Sequence, residues 1–326
     1  MKVHILDDWF DTLKTLPCFA KLDGHEVTVW TDHVEEVEQL ALRLKDADAV
    51  VLFRERTAVT RELLEQLPNL KLISQRGVFP HVDVQACRDN NVLLCSKLPK
   101  GGGSPNYAAA ELTWGLILSA MRQIPQQMQS LKAGDWQMGV GKSLRGRTLG
   151  LYGFGLIGQA VAEVGKAFGM RVQWWGSEEG RARAKAAGEY VPESREAFFA
   201  SSDVVSLHLR LVPETRGIIT LSDLETMRSD AVLVNTSRAG LIAPGALLAA
   251  LNSNEIEMAA VDVFDTEPLT DATDELLNHA RLIGTPHIGF VTKDEFNKQF
   301  GDAFDQINAF AAGEPLNMIN PEIWKE

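Results

Sequence analysis

Residues 148–170 read TLGLYGFGLIGQAVAEVGKAFGM, and this stretch decides the fold. It opens as an apolar strand, Thr148 to Tyr152, and runs directly into Gly153-Phe154-Gly155-Leu156-Ile157-Gly158. From Gly158 to about Phe168 the apolar residues recur at helical spacing. Each glycine has a physical task. Gly153 permits the tight turn, Gly155 lets a pyrophosphate approach the backbone, and Gly158 allows close helix–strand packing. The helix N-terminus then presents free N–H groups and a positive dipole end to the phosphates. G-x-G-x-x-G alone is weak; strand, turn and helix in this order predict a dinucleotide site formed by all six residues.

Working outward, the same alternation continues on both sides. Downstream, strands are predicted at Arg171–Trp175, Val204–Leu207, Ala231–Asn235, Ala259–Val263 and Leu282–Gly284, and a last helix at Glu295–Ala312. Upstream, strands are predicted at Val3–Leu6, Glu26–Trp30, Ala49–Phe53, Leu70–Gln75 and Val92–Cys95. A helical stretch follows the first strand, and helices are predicted at Glu35–Lys45 and Arg61–Gln66. Between the two series lies a linker, Lys100-Gly101-Gly102-Gly103-Ser104-Pro105, followed by a long helix from Asn106 to about Met128. Strands alternating with helices imply right-handed crossovers and parallel sheets. The predicted class is α/β, with two doubly wound (Rossmann/flavodoxin-like) domains and an active-site cleft between them. A chain of 326 residues has room for two cores.

Bulk chemistry excludes several functions. A net charge of −12 disfavours a nucleic-acid footprint, which needs a basic face. Cys18, Cys87 and Cys95 cannot all pair with one another and lack metal-ligand spacing, so inert thiols and no metal site are expected. The opening MKVHILDD turns acidic before any long apolar run, and the apolar stretch around Leu112 to Met121 is too short to cross a bilayer. A cytoplasmic protein without membrane contact is expected.

Cofactor choice is less decided. An acid at the end of the strand after the glycine turn would accept the ribose hydroxyls. Here Trp175 is followed by Gly176, then Ser177, Glu178 and Glu179, with Arg181 and Arg183 beyond. The glutamates would repel a 2′-phosphate and the arginines could recruit one. NAD or NADP therefore both fit, with the balance towards NAD. Besides the turn, the candidate cofactor contacts are Ser177, Leu209, Arg210, Thr215, Thr236, Ser237, Asp262 and Gly289.

Three motifs end late strands of the same unit: Thr236-Ser237-Arg238-Ala239-Gly240, Asp265-Thr266-Glu267-Pro268 and Thr285-Pro286-His287-Ile288-Gly289. Reducing a 2-keto acid needs a cation for the carboxylate and a proton donor for the carbonyl oxygen. Arg238 suits the first task, because its planar fork matches a carboxylate and stays charged. His287 suits the second, and Glu267 would orient it and favour its charged form. Singly, each has a bland alternative: Arg238 as a surface ion pair, Glu267 as a solvated loop acid and His287 as a satisfied polar residue near a turn. On neighbouring strand ends beside a nucleotide site, the functional reading gains over the bland one.

Taken in order, GRTLGLYGFGLIGQAVAEVGKAFGM, SLHLRLVPETRGII, LVNTSRAGLI, AAVDVFDTEPL and GTPHIG resemble the D-isomer-specific 2-hydroxyacid dehydrogenase family. The resemblance implies reversible NAD(P)-dependent reduction of a small 2-keto acid to a D-2-hydroxy acid, with Arg238, Glu267 and His287 catalytic. It implies a discontinuous substrate-binding domain, 1–101 plus 293–326, and a cofactor domain over 102–292. It also implies a homodimer, with the helix holding Ala108 to Ile124 as the dimerisation arm. In Gln75-Arg76-Gly77-Val78-Phe79-Pro80 the amides of Gly77 and Val78 become candidates for the substrate carboxylate, and Arg54 of FRERTAVT joins them. Departures are Phe79 in a shortened loop, Arg210 in place of a proline, and Gly176 in place of an acid. Trp174, Trp175 and Trp136 read as packing residues. A cofactor-sensing regulatory protein on the same fold is the competing reading, and Glu267 disfavours relatives that carry glutamine there.

Overall fold

The computed structural model describes residues 1–98 and 107–324, and these fall into two compact units. The expected linker at 100–105 and Asn106 lie outside the described residues. The first unit joins the early residues to the chain from Thr292 onward. Its sheet comprises β1 (Lys2–Ile5), β2 (Glu26–Val29), β3 (Ala49–Val51), β4 (Leu72–Arg76) and β5 (Leu93–Lys97). They pair in parallel in the order β2-β1-β3-β4-β5. This is the flavodoxin-like order, whose direction reverses between β1 and β3. The central strands are largely buried, as parallel strands covered on both faces are, and His4, Ser74 and Gln75 are polar residues buried within them.

The helical stretch expected after β1 is two 3-10 turns, Leu13–Thr15 and Pro17–Leu22. Two features hold the chain to such short turns. The Asp8 carboxylate accepts the Leu13 N–H at 3.0 Å, and Pro17 has no N–H to extend a helix through. The helix Lys293–Ala311 belongs to this unit. Ser74 donates to the Ala303 carbonyl at 2.8 Å, and Gln306 donates to Ser74 and to the Gln75 carbonyl, both at 2.9 Å. Phe300 stacks on Phe53 with centroids 5.2 Å apart. All three cysteines are buried free thiols, and burial pushes Cys87 and Cys95 up to about 12. At neutral pH those two are therefore un-ionised and poor nucleophiles.

The second unit has β6 (Thr148–Tyr152), β7 (Arg171–Trp175), β8 (Val204–Leu207), β9 (Val232–Asn235), β10 (Met258–Val261) and β11 (Leu282–Gly284). The order is β11-β10-β9-β8-β6-β7, all parallel, with the reversal between β6 and β8. The helix predicted to run to Met128 stops at Arg122, and a second begins at Ile124. Pro125 is the cause, since it has no N–H for the Met121 carbonyl. Gln123 turns left-handed at φ 52°, and Met121 instead accepts the Lys142 N–H at 2.7 Å. Trp174 is buried, as expected of a packing residue, and Trp175 is half-buried. Trp136 is not: it is 75% exposed, because the loop beyond Lys132 lays it outside the core of this unit. Among the described residues no helix is long and apolar enough to cross a membrane.

Candidate active site

The glycine turn departs from the end of β6, beside the point where the sheet order reverses. Gly153 sits at φ +117°, and a Cβ there would lie 2.4 Å from the His208 carbonyl oxygen. A side chain is thus excluded both by conformation and by space. A Cβ at Gly158 would meet the Gly153 carbonyl at 2.8 Å, which is the close helix–strand approach. Gly155 differs: nothing lies within 4 Å of a Cβ built there. It is also the N-cap of the helix Leu156–Ala167 and provides no side-chain cap. Open space thus faces an uncapped helix N-terminus, which suits the pyrophosphate of a dinucleotide. His208, from the loop after β8, backs this turn, and burial drives its imidazole down to about 4.

At the end of β7, Gly176 is at φ +150°, a conformation unsuited to an acidic side chain. Ser177 caps the next helix, accepting the Gly180 N–H at 3.1 Å. Glu178 and Glu179 are exposed in its first turn. Arg181 stacks over Trp175 at 4.5 Å and donates to the Gly176 carbonyl at 2.6 Å.

The catalytic candidates stand on loops after β9, β10 and β11. Asn235, the buried last residue of β9, clamps the first of these. Its side chain accepts the Ser237 N–H at 3.0 Å and donates to the Arg238 carbonyl at 2.9 Å. Sequence reading missed Asn235; the signal available was an amide closing an otherwise apolar strand just before the turn. Several expected cofactor residues use their hydroxyls within the protein. Ser237 donates to Leu207, Thr236 shares a hydrogen bond with Thr113 at 2.7 Å, and Thr215 donates to the Arg210 carbonyl at 2.6 Å. Leu209 lies against Gly153, and Arg210 is exposed.

His287 is a left-handed residue, φ 53°, which in a non-glycine side chain signals local strain. Asp262 holds that turn. Its buried carboxylate accepts from the Thr285 hydroxyl at 2.6 Å and from the N–H groups of Ile288 and Gly289, both at 2.8 Å. Burial nonetheless keeps the Asp262 carboxyl above the usual range. So oriented, His287 Nδ1 lies 2.5 Å from Glu267 Oε2, while the other Glu267 oxygen accepts the Phe264 N–H at 2.9 Å. Burial works to raise the Glu267 carboxyl. The His287 and Phe264 hydrogen bonds and the charges of His287 and Arg238 outweigh it, and the carboxyl is held below its ordinary value. The imidazole faces Glu267 through Nδ1, and its side chain is 28% exposed.

Arg54, Gly77 and Val78 belong to the first unit, on the loops after β3 and β4. The Gly77 amide is taken up by the sheet edge, donating to the Lys97 carbonyl at 3.1 Å. Val78 is exposed and follows directly. Arg54 stands at φ 60°. Among the described residues no group of three or more His, Cys, Asp or Glu side chains is placed to hold a metal ion.

The sequence profile described as "D-isomer specific 2-hydroxyacid dehydrogenase, NAD binding domain" matches residues 114–289. The chain belongs to this family. The dehydrogenase is 35% identical to a glyoxylate reductase of Aeropyrum pernix, over 92% of this chain and 91% of that one. It is 36% identical to a D-3-phosphoglycerate dehydrogenase of Methanocaldococcus jannaschii, covering 89% of this chain but 55% of the longer relative. A solved oxidoreductase of Ralstonia solanacearum superposes with a TM-score of 0.91 at 45% identity, over 100% of this chain and 98% of that one. The dehydrogenase is therefore an NAD-type oxidoreductase of 2-hydroxy acids.

Proposed function

We propose that the dehydrogenase reduces a small 2-keto acid to the D-2-hydroxy acid, and reverses the reaction, with His287 as its acid and base. The observation that carries this is the His287–Glu267 pair at 2.5 Å, on the strand ends that also bear Arg238. Arg238 binds the substrate carboxylate and polarises its carbonyl. The dinucleotide, when bound, supplies a hydride to carbon 2 or takes it back. Protonated His287 gives its Nε2 proton to the carbonyl oxygen, so one keto acid, one hydride and one proton yield one hydroxy acid. Glu267 stays on Nδ1, fixes the ring and neutralises the imidazolium. In oxidation the neutral imidazole takes the hydroxyl proton instead. In the first unit, the Val78 amide and Arg54 are assigned to the substrate carboxylate, with Gly77 shaping the turn.

NAD is favoured over NADP. Arg181, the residue best placed to meet a 2′-phosphate, is already stacked on Trp175 and bonded to Gly176, and two exposed glutamates precede it. A homodimer is proposed from the apolar side chains of Ile124, Met128, Leu131, Trp136 and Val140, which lie exposed around the second helix of the arm. The protein is assigned to the cytoplasm.

Glyoxylate, the substrate in the name of the Aeropyrum pernix relative, is the first compound to assay with NADH and NADPH. His287→Asn is expected to lower kcat by roughly 10²–10⁴-fold with cofactor binding retained, the usual range for a lost general acid. Unchanged turnover in that variant would remove His287 from the mechanism.

A further inference from the structure

β4 and β5 end side by side, and their register sets Gln75 of one against Ser96 of the other. Both residues are polar, and each is only 2% exposed. The side chains meet, Gln75 Nε2 donating to Ser96 Oγ at 3.3 Å. Buried donors need acceptors, and the loop that leaves β4 supplies them. Ser96 Oγ donates to the Gly77 carbonyl at 2.7 Å, and Gln75 Nε2 donates to the Val78 carbonyl at 3.1 Å.

In an extended strand successive carbonyls point to opposite sides. Here two in a row are drawn to the same buried pair. Gly77 permits the change of direction: its N–H still donates to the Lys97 carbonyl at the sheet edge, and its φ of +104° turns the chain that follows. The planar trans peptide passes the effect on, because its N–H points opposite to its carbonyl. Both peptides from Gly77 to Phe79 are trans. With the two carbonyls held inward, the N–H groups of Val78 and Phe79 face the other way, out of the core. Neither donates to an acceptor among the described residues.

Two successive N–H groups turned to one side form an anion-binding concavity. The space beside this pair is open: Val78 is 59% exposed, and a Cβ built on Gly77 would meet nothing within 4 Å. Gln75 and Ser96 are themselves too deeply buried to touch a ligand, so whatever they do for one passes through the backbone. The whole arrangement belongs to the first unit.

We infer that Gln75 and Ser96 are positioning residues, which hold two loop carbonyls inward and so aim the amides of Val78 and Phe79 at the substrate carboxylate. This rests on the proposed 2-keto acid reduction, in which the Val78 amide takes that group.

The first test needs no turnover. In amide-resolved ¹H–¹⁵N spectra of the full protein without cofactor, oxalate should shift Val78 and Phe79 saturably. Ser96→Ala and Gln75→Met should each weaken that binding by roughly tenfold, about the worth of one hydrogen bond. Steady-state kinetics with NADH supply the second readout. Both variants should raise KM for glyoxylate by a similar factor and leave kcat within about twofold, since the amides grip substrate and transition state alike. The inference is overturned if oxalate leaves the two amides unmoved, or if both variants bind it as the wild type does. A fall in kcat with KM unchanged would also overturn it. Should no keto acid turn over in the wild type, the proposed reaction fails, while the oxalate shifts and their response to the two variants still decide the positioning role.

Discussion

Replacing Asp262 by Asn should remove far more activity than stability. The carboxylate serves three donors with two oxygens, the Thr285 hydroxyl and the amides of Ile288 and Gly289. A carboxamide has one acceptor oxygen. If it keeps Thr285 and Ile288, its NH₂ faces the Gly289 N–H, donor against donor. Leaving one buried N–H unsatisfied costs about 1–3 kcal/mol. That equals the roughly 1–3 kcal/mol of strain stored in a left-handed non-glycine residue such as His287. The turn therefore gains a reason to relax, and the imidazole moves off Glu267. Against this, the substitution removes a charge that burial already disfavours. Net destabilisation should then be near ~1 kcal/mol, a Tm shift of about 2–4 °C in a unit of this size. A displacement of about 1 Å at the acid costs on the order of 10²-fold in rate. Steady-state kinetics with NADH, alongside thermal melts of the same preparations, measure both. Turnover within about threefold of wild type at saturating NADH would refute the role given to Asp262. So would a stability loss large enough to account for the lost rate through unfolding.

Two glycines of one turn should behave oppositely. Gly158→Ala places a Cβ 2.8 Å from the Gly153 carbonyl and should lower the melting temperature by several degrees, read by calorimetry. Gly155→Ala meets no protein atom within 4 Å, so its melt should match wild type while KM for NADH rises at least about tenfold. Equal melts for both variants would contradict the packing described. Acid stability follows Asp223, for which burial raises the carboxyl but bonds from Arg195 and Thr220 outweigh it, setting it below its ordinary value of 3.8. A carboxyl lowered on folding contributes stability above the unfolded value and loses it as pH falls through the folded one. Asp223→Asn should therefore flatten the acid limb of a urea-unfolding series run from pH 6 downward, and limbs that stay parallel would remove Asp223 from the cause.

Legibility in the sequence tracked how local the physics was. β6, β7, β8 and β11 match the expected limits, because apolar strands bounded by glycine or charge mark their own ends. The glycine turn was equally plain, as strand, turn and helix follow one another directly in the chain. The break at Gln123 has a local signal in Pro125, which a single helix to Met128 leaves out of account. Asn235, the hydrogen bonds gathered on Asp7 and the demand on Asp262 were not legible. Each depends on donors or rings brought from distant segments, such as Thr57 and His33 around Asp7. The inert state of the cysteines lay between these cases: spacing argued against a metal, and the fold supplied the burial.

The helix Lys293–Ala311 imposes an order of assembly on the nascent chain. Translation proceeds at about 5–20 residues per second. The roughly 195 residues separating β5 from that helix therefore take on the order of 10–40 s to emerge. Throughout that interval Phe53, Ser74 and Gln75 have left the ribosome without Phe300, Ala303 and Gln306, their partners in the finished core. The second unit, by contrast, holds its own core in one continuous run and can close first. The unit whose synthesis begins first is thus the last to be completed, and until then the sheet face that the helix covers stays exposed.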